Sequence, residues 1–307
     1  MTILRILSSV VAALTLASAA YAAGGAKHAH PPEGGWPFAG PLGQFEMDSV
    51  QRGYQIYKEV CSSCHSMKLL SYRHLGDPGG PFYDADYPNP NENPLVKALA
   101  AENEILDPVP NEFGEFDFRP ARPSDTFRSP YPNDNAAMAA NGGALPPDLS
   151  VITKARHGGA SYVYALMKSY PGFDEFVYNE AGDAQLIFDD DEKPEYNGRL
   201  TQPIGQYYNP YFPGDTTPNF DGDPRHTPEG GFLAMAPQLT EGRVEYLDGT
   251  EATIQQMSYD VAQFLAWAGE PKQENRKSLG AAVMIYLVIF AGLLWFSYRS
   301  IWRNVGH

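Results

Sequence analysis

Cys61-Ser62-Ser63-Cys64-His65 constrains this chain more than any other stretch. Two thiols three residues apart, followed directly by a histidine, form the pattern of a covalent haem attachment site. On a helix, positions i and i+3 share a face, so both thiols reach the two vinyl groups of one porphyrin. The adjoining residue then offers an imidazole, the usual proximal ligand of haem iron. These are the only two cysteines among 307 residues. That excludes a disulfide framework and leaves no thiols for a cysteine-rich zinc or iron–sulfur site. A thioredoxin-like dithiol needs a preceding strand in a βαβ context. Here the upstream residues read as helix: Val50, Tyr54, Tyr57, Cys61 and Cys64 recur at spacings of four and three, opened by Asp48 or Ser49 as cap. That stripe puts the cysteines on the buried face.

A chain of this length forms one large domain or two small ones. With 29 glycines and 27 prolines, much irregular backbone is expected. Residues 23–277 hold 19 basic and 37 acidic side chains, a balance of −18. Nucleic acid is repelled by such a surface, and a basic partner suits it.

Residues 1–22 read as a secretory signal: Arg5, an apolar run from Ile6, and a small-x-small cleavage site at Ala20-Tyr21-Ala22. A haem domain over 23–277 follows. Helices are expected from Asn93-Pro94 to about Glu102, within Pro130–Asn141 up to Gly142-Gly143, and from Ser161 to about Tyr170. Thr253-x-x-Gln256 is a capping box opening a helix with Ile254, Met257, Val261, Phe264, Leu265 and Ala268 on one stripe. Ala144–Ser150, with its proline pair, is expected to be extended. The stretches 76–94 and 172–232 read as irregular, and no strand-rich segment is expected. The acidic loop from Glu102 to Asp117 is a candidate docking surface. Leu279 to Tyr298 is 20 residues without a charge, enough to cross a bilayer; the anchor is placed at 278–298 and a cytoplasmic tail at 299–307. Together these give a mainly α fold with long irregular loops and one C-terminal transmembrane helix.

A haem held by one histidine either leaves its sixth position open or fills it for electron transfer, and methionine suits the second case. Met1 falls in the signal, Met284 in the membrane, Met67 too close to His65, and Met47 just before the first helix. Met138, Met167 and Met257 sit on expected helices. Met235 lies in an apolar loop, Gly230–Pro237, and is the leading candidate, with His157 and His226 as rivals.

Several segments taken together resemble the cytochrome c1 family, the haem subunits of cytochrome bc1 complexes. They are Val60–Met67, Tyr72-Arg73-His74-Leu75, Asn141–Ser150, Ala155-Arg156-His157-Gly158-Gly159, Met235-Ala236-Pro237 and the single C-terminal anchor. The resemblance implies one covalent haem c on Cys61 and Cys64, with His65 and Met235 as axial ligands. It implies that Arg156 and Tyr162 meet the haem propionates and that Pro147 packs at the proximal side, where a carbonyl orients the histidine ring. It implies electron transfer from a Rieske iron–sulfur protein to a soluble basic c-type cytochrome, beside cytochrome b in a dimeric quinol–cytochrome c oxidoreductase. It implies a bacterial inner-membrane location with the haem domain in the periplasm. Some bacterial relatives carry an extra cysteine pair near the methionine. This chain has none, so that loop is held by packing. A free-standing tethered cytochrome and a haem peroxidase or ligand sensor are the alternatives. The first would purify without cytochrome b, and the second would bind carbon monoxide rapidly.

Overall fold

The computed structural model describes residues 25–189 and 194–304; the expected signal, part of the acidic run at Asp189–Glu192, and the last residues of the tail lie outside the described residues. In chain order the elements are α1 (Met47–Glu59), α2 (Pro94–Ala101), β1 (Glu104–Leu106), β2 (Phe118–Pro120), α3 (Asp134–Ala140), α4 (Ile152–Ala155) and α5 (Ala160–Lys168). They continue as β3 (Phe176–Tyr178), β4 (Ala184–Phe188), β5 (Gly198–Thr201), β6 (Tyr207–Asn209), β7 (Gly231–Leu233), α6 (Ile254–Gly269) and α7 (Gln273–Trp302). The long elements are helices, and wide irregular loops join them.

The chain divides into two compact units. Of the described residues, the first comprises 31–130, 147–155 and 260–304; the second comprises 25–30, 131–146, 156–189 and 194–259.

In the first unit α1 packs on the part of α6 that begins at Asp260. Gly53 marks the crossing: a Cβ there would lie 2.1 Å from the Asp260 carbonyl oxygen and 2.6 Å from Phe264 Cβ. Only glycine lets the two backbones come so close. Beside it Asp260, fully buried, accepts from Ser49 Oγ at 2.5 Å and from Arg52 Nε and Nη2 at 2.9 and 3.1 Å. Tyr54, Tyr57, Tyr72, Phe127, Phe264 and Trp267 fill the core in edge, tilted and stacked ring contacts. Trp267 Nε1 finishes its hydrogen bonding on the Gly79 carbonyl at 3.0 Å.

Several boundaries differ from the sequence reading. Helix α1 starts at Met47, with Glu46 at the N-cap; its side chain makes no capping bond and accepts instead from Gln263 Nε2 at 3.0 Å, while Ser49 is committed to Asp260. It ends at Glu59, so the cysteines do not continue its stripe; Cys61–Ser63 is a 3-10 turn and both thiols are half-buried. Helix α2 is capped as expected, with the Asn93 side chain accepting from the Leu95 and Val96 amides. Helix α5 begins at Ala160 behind Gly159, with no side-chain cap. Thr253 Oγ1 does accept from the Gln256 amide at 3.0 Å, but α6 is buried on every side from Asp260 to Ala268 and not along one stripe.

Strands are the larger correction. The expected irregular stretch 172–232 contains an antiparallel sheet β3-β4-β5 and most of the β6-β7 pair, and β1-β2 closes the base of the 104–120 loop. In the second unit Leu186, Leu200, Tyr208 and Phe220 form a small core of their own, flanked by Phe176, Phe188 and Phe232. Strands of three to five residues carry too little alternation to be read from pattern. Their side chains are stabilised by cross-strand packing that only the fold supplies.

Helix α7 is 30 residues long, about 45 Å at 1.5 Å per residue, against a hydrocarbon thickness of about 30 Å. It is the one helix among the described residues long and apolar enough to cross a membrane, and its apolar span is exposed throughout. The helix begins five residues before the expected anchor at 278, because its first turns are part of the folded unit. Gln273 Nε2 and Lys277 Nζ both donate to the Phe38 carbonyl, at 3.0 and 2.6 Å, and Glu274 Oε1 accepts from the Phe45 amide. The anchor is thereby fixed rigidly to the approach of α1.

Candidate haem site

The attachment motif sits on a tight turn immediately after α1. The amides of Cys64 and His65 both bond to the Cys61 carbonyl, at 3.2 and 2.9 Å. In a 3-10 turn residues i and i+3 eclipse, so Cys61 and Cys64 project from the same side, as two thioether links to one porphyrin require. Neither cysteine is in a disulfide. Burial, and then the neighbouring Cys64, push the Cys61 thiol up to about 12.

His65 is oriented from the opposite strand of backbone. Its Nδ1 lies 2.8 Å from the Pro147 carbonyl oxygen, so Nδ1 carries the proton and Nε2 is left as the free donor. Burial lowers the imidazole from its ordinary value, against the Pro147 hydrogen bond and the Asp148 charge, which raise it. A neutral imidazole is the form that ligates metal. A backbone partner on the far nitrogen is the usual way to fix ring and tautomer.

Pro147 is held in turn by its neighbour. Asp148 accepts from Ser66 Oγ at 2.8 Å and the Lys68 amide at 2.9 Å, while the Leu149 amide bonds to the Ser66 carbonyl at 2.9 Å. Leu69 adds a bond to Ser150 Oγ at 3.0 Å. Residues 147–150 are thus stitched along residues 65–69 as an extended strip, as the proline pair predicts. Burial pushes the Asp148 carboxyl up, but the hydrogen bonds from Lys68, Ser150 and Ser66 outweigh it and hold the group below the usual carboxylate value. The sequence reading did not single out Asp148, although it directly follows the proline pair.

In the second unit Arg156 and Tyr162 stand together at the start of α5, their side chains hydrogen-bonded. Burial raises the Tyr162 hydroxyl, and the Arg156 charge opposes that rise. Met235 lies two residues beyond β7, half-buried, and its carbonyl accepts from Tyr170 Oη at 2.9 Å. The other methionines are placed differently. Met67 and Met257 are fully buried, Met47 lies inside α1 and not before it, and Met138 and Met167 are on α3 and α5. His157 is exposed and edge-on to His28, with ring centroids 5.9 Å apart, while the His226 ring lies 4.7 Å from that of Tyr196.

Two thiols on one tight turn, beside an imidazole whose Nδ1 is held by the Pro147 carbonyl, fit a covalent haem. This donor set defines a c-type cytochrome. A sequence profile of the cytochrome c1 family matches residues 36–305. A cytochrome c1 of Rhodospirillum rubrum is 36% identical over 303 residues, 96% of this chain and 97% of that one. A mitochondrial cytochrome c1 heme protein of Solanum tuberosum is 42% identical over 245 residues, 80% of this chain and 75% of the relative. A cytochrome b/c1 of Bradyrhizobium diazoefficiens is 41% identical over 279 residues; that match takes in 89% of this chain but only 36% of the longer relative. The chain belongs to the cytochrome c1 family, and its cofactor is a covalently bound haem c.

Proposed function

We propose that this chain is the haem-bearing electron-transfer subunit of a quinol–cytochrome c oxidoreductase. In this reading it takes an electron from a Rieske iron–sulfur protein and gives it to a soluble, basic c-type cytochrome. Cytochrome b and the Rieske protein are its membrane partners, in a dimeric complex. The signal over 1–22 and the anchor α7 leave the haem domain on the periplasmic side of a bacterial inner membrane and the tail inside.

The observation that carries this reading is the His65–Pro147 contact beside the two thiols. Haem bound there supplies reversible one-electron exchange at iron. Cys61 and Cys64 would hold the porphyrin through thioether bonds, and His65 would offer Nε2 to the iron, its ring fixed by Pro147. Met235 would be the second protein ligand, a thioether that would raise the potential and deny small molecules the metal. Arg156 and Tyr162 would meet the propionates, where a guanidinium fork suits a carboxylate. No proton is moved and no substrate bond is made by the chain's own residues.

The net charge of −15 bears on the acceptor. Glu112, Glu115 and Asp117 are exposed on the loop that β1 and β2 close. A carboxylate-rich face draws a basic carrier in over a Debye length of about 30 Å at 0.01 M salt, shrinking to about 3 Å at 1 M. The electron-transfer rate from the reduced protein to a lysine-rich c-type cytochrome, measured by stopped flow, is expected to fall at least about tenfold across that range. A rate indifferent to salt would remove the acidic face from this role. Purification through a tag on this chain is expected to bring cytochrome b and a Rieske protein with it. Their absence from an active preparation would favour a free-standing cytochrome.

A further inference from the structure

We propose that Tyr170 is the positioning residue for the thioether ligand, holding Met235 through its backbone and so standing in for a covalent cross-link of the methionine loop. The inference rests on the assignment of Met235 as axial ligand and adds the element that keeps it in place.

The methionine segment is fixed upstream by a chain of contacts that starts on α5. The Leu166 carbonyl accepts from Asn209 Nδ2 at 2.8 Å, and Asn209 is fully buried. Asn209 stands opposite Gly231 in the β6-β7 ladder. At Gly231 the backbone passes so close to Gly214 that a Cβ would come within 2.7 Å of the Gly214 Cα. Ladder pairing ends at Leu233, two residues short of Met235. Downstream, Pro237 restricts Ala236 to extended backbone. Between these fixed points the Met235 peptide is set by the phenol of Tyr170, two residues past the end of α5, at 2.9 Å. A carbonyl held in one direction fixes its peptide plane, and with it the direction in which the Met235 side chain leaves the backbone. The same helix carries Tyr162, whose side chain meets that of Arg156, so one element bears on both the propionate pair and the ligand loop.

Tyr170→Phe keeps the ring and removes the hydrogen bond. The full-length, haem-loaded variant is expected to bind carbon monoxide in the reduced state about two- to tenfold more tightly than the parent protein, the range one lost hydrogen bond spans. Its far-red iron–thioether absorption band is expected to weaken and its reduction potential to fall. Tyr208→Phe is the control. Tyr208 Oη also donates to a backbone carbonyl in the same unit, that of Glu229 at 2.6 Å, but not to the methionine segment. A rise in carbon monoxide affinity for Tyr170→Phe alone supports the proposal. No rise, or the same rise in both variants, overturns it while leaving Met235 ligation standing. A parent protein that lacks the far-red band fails at the ligand assignment itself, and the clamp falls with it.

Discussion

Met235→Leu is expected to convert a sealed electron-transfer haem into an open one. Leucine approximates the volume of methionine, so the half-buried site after β7 stays filled, and Tyr170 keeps its carbonyl acceptor. What disappears is the sulfur. The ferric protein should lose its far-red charge-transfer band, and the reduced protein should bind carbon monoxide within the mixing time where the parent does not. The potential falls because thioether ligation stabilises ferrous iron. For a one-electron couple about 59 mV is tenfold in the equilibrium constant. Even a shift of that size makes reduction by a Rieske centre about tenfold less favourable at equilibrium, and the change of ligand is expected to exceed it. An unchanged band and potential in the variant would transfer the ligand role to another residue, with His157 and His226 next in line.

Asp260→Ala is expected to give the largest loss of stability of any single substitution away from the haem. Asp260 has no exposed surface and accepts from both Arg52 and Ser49. Removing it takes a fully buried carboxylate away from a guanidinium that is only 17% exposed, next to the Gly53 crossing. Breaking one partner of a buried pair typically costs about 3–5 kcal/mol. That is a large part of the roughly 5–15 kcal/mol that holds a domain together. Replacing both charges with apolar residues, Arg52→Met with Asp260→Leu, should restore most of the loss, since no orphaned charge remains. Urea unfolding of the detergent-solubilised chain, followed by circular dichroism, measures both. A loss below about 1 kcal/mol in the single variant would show that the pair is solvated and unimportant.

These two positions also show what a linear reading can and cannot reach. The attachment motif is legible because its chemistry is local: five consecutive residues carry both thiols and the imidazole. The anchor is legible because a bilayer imposes length and polarity on a contiguous run. The α2 cap at Asn93 and the Thr253 cap are legible because a helix end is satisfied by its own neighbours. The Asp260–Arg52 pair is not, since its partners are 208 residues apart and each, read alone, looks like a surface charge. Tyr170 gave no signal for the same reason: its acceptor is a backbone atom 65 residues on. Pro147 entered through family resemblance, but its hydrogen bond with the His65 ring, and the Asp148 contacts that support it, are visible only in the folded chain. The short strands of 176–233 were missed because three-residue pairings are stabilised by the aromatic core around Tyr208 and Phe220, not by their own propensity.

Iron K-edge X-ray absorption on the untouched, oxidised protein tests the central claim most directly, because it counts the atoms around the metal. We expect one sulfur and five nitrogen neighbours: four from the porphyrin, one from His65 and a thioether from Met235. Six nitrogens, or five with a vacant or oxygen-filled sixth place, would contradict the account.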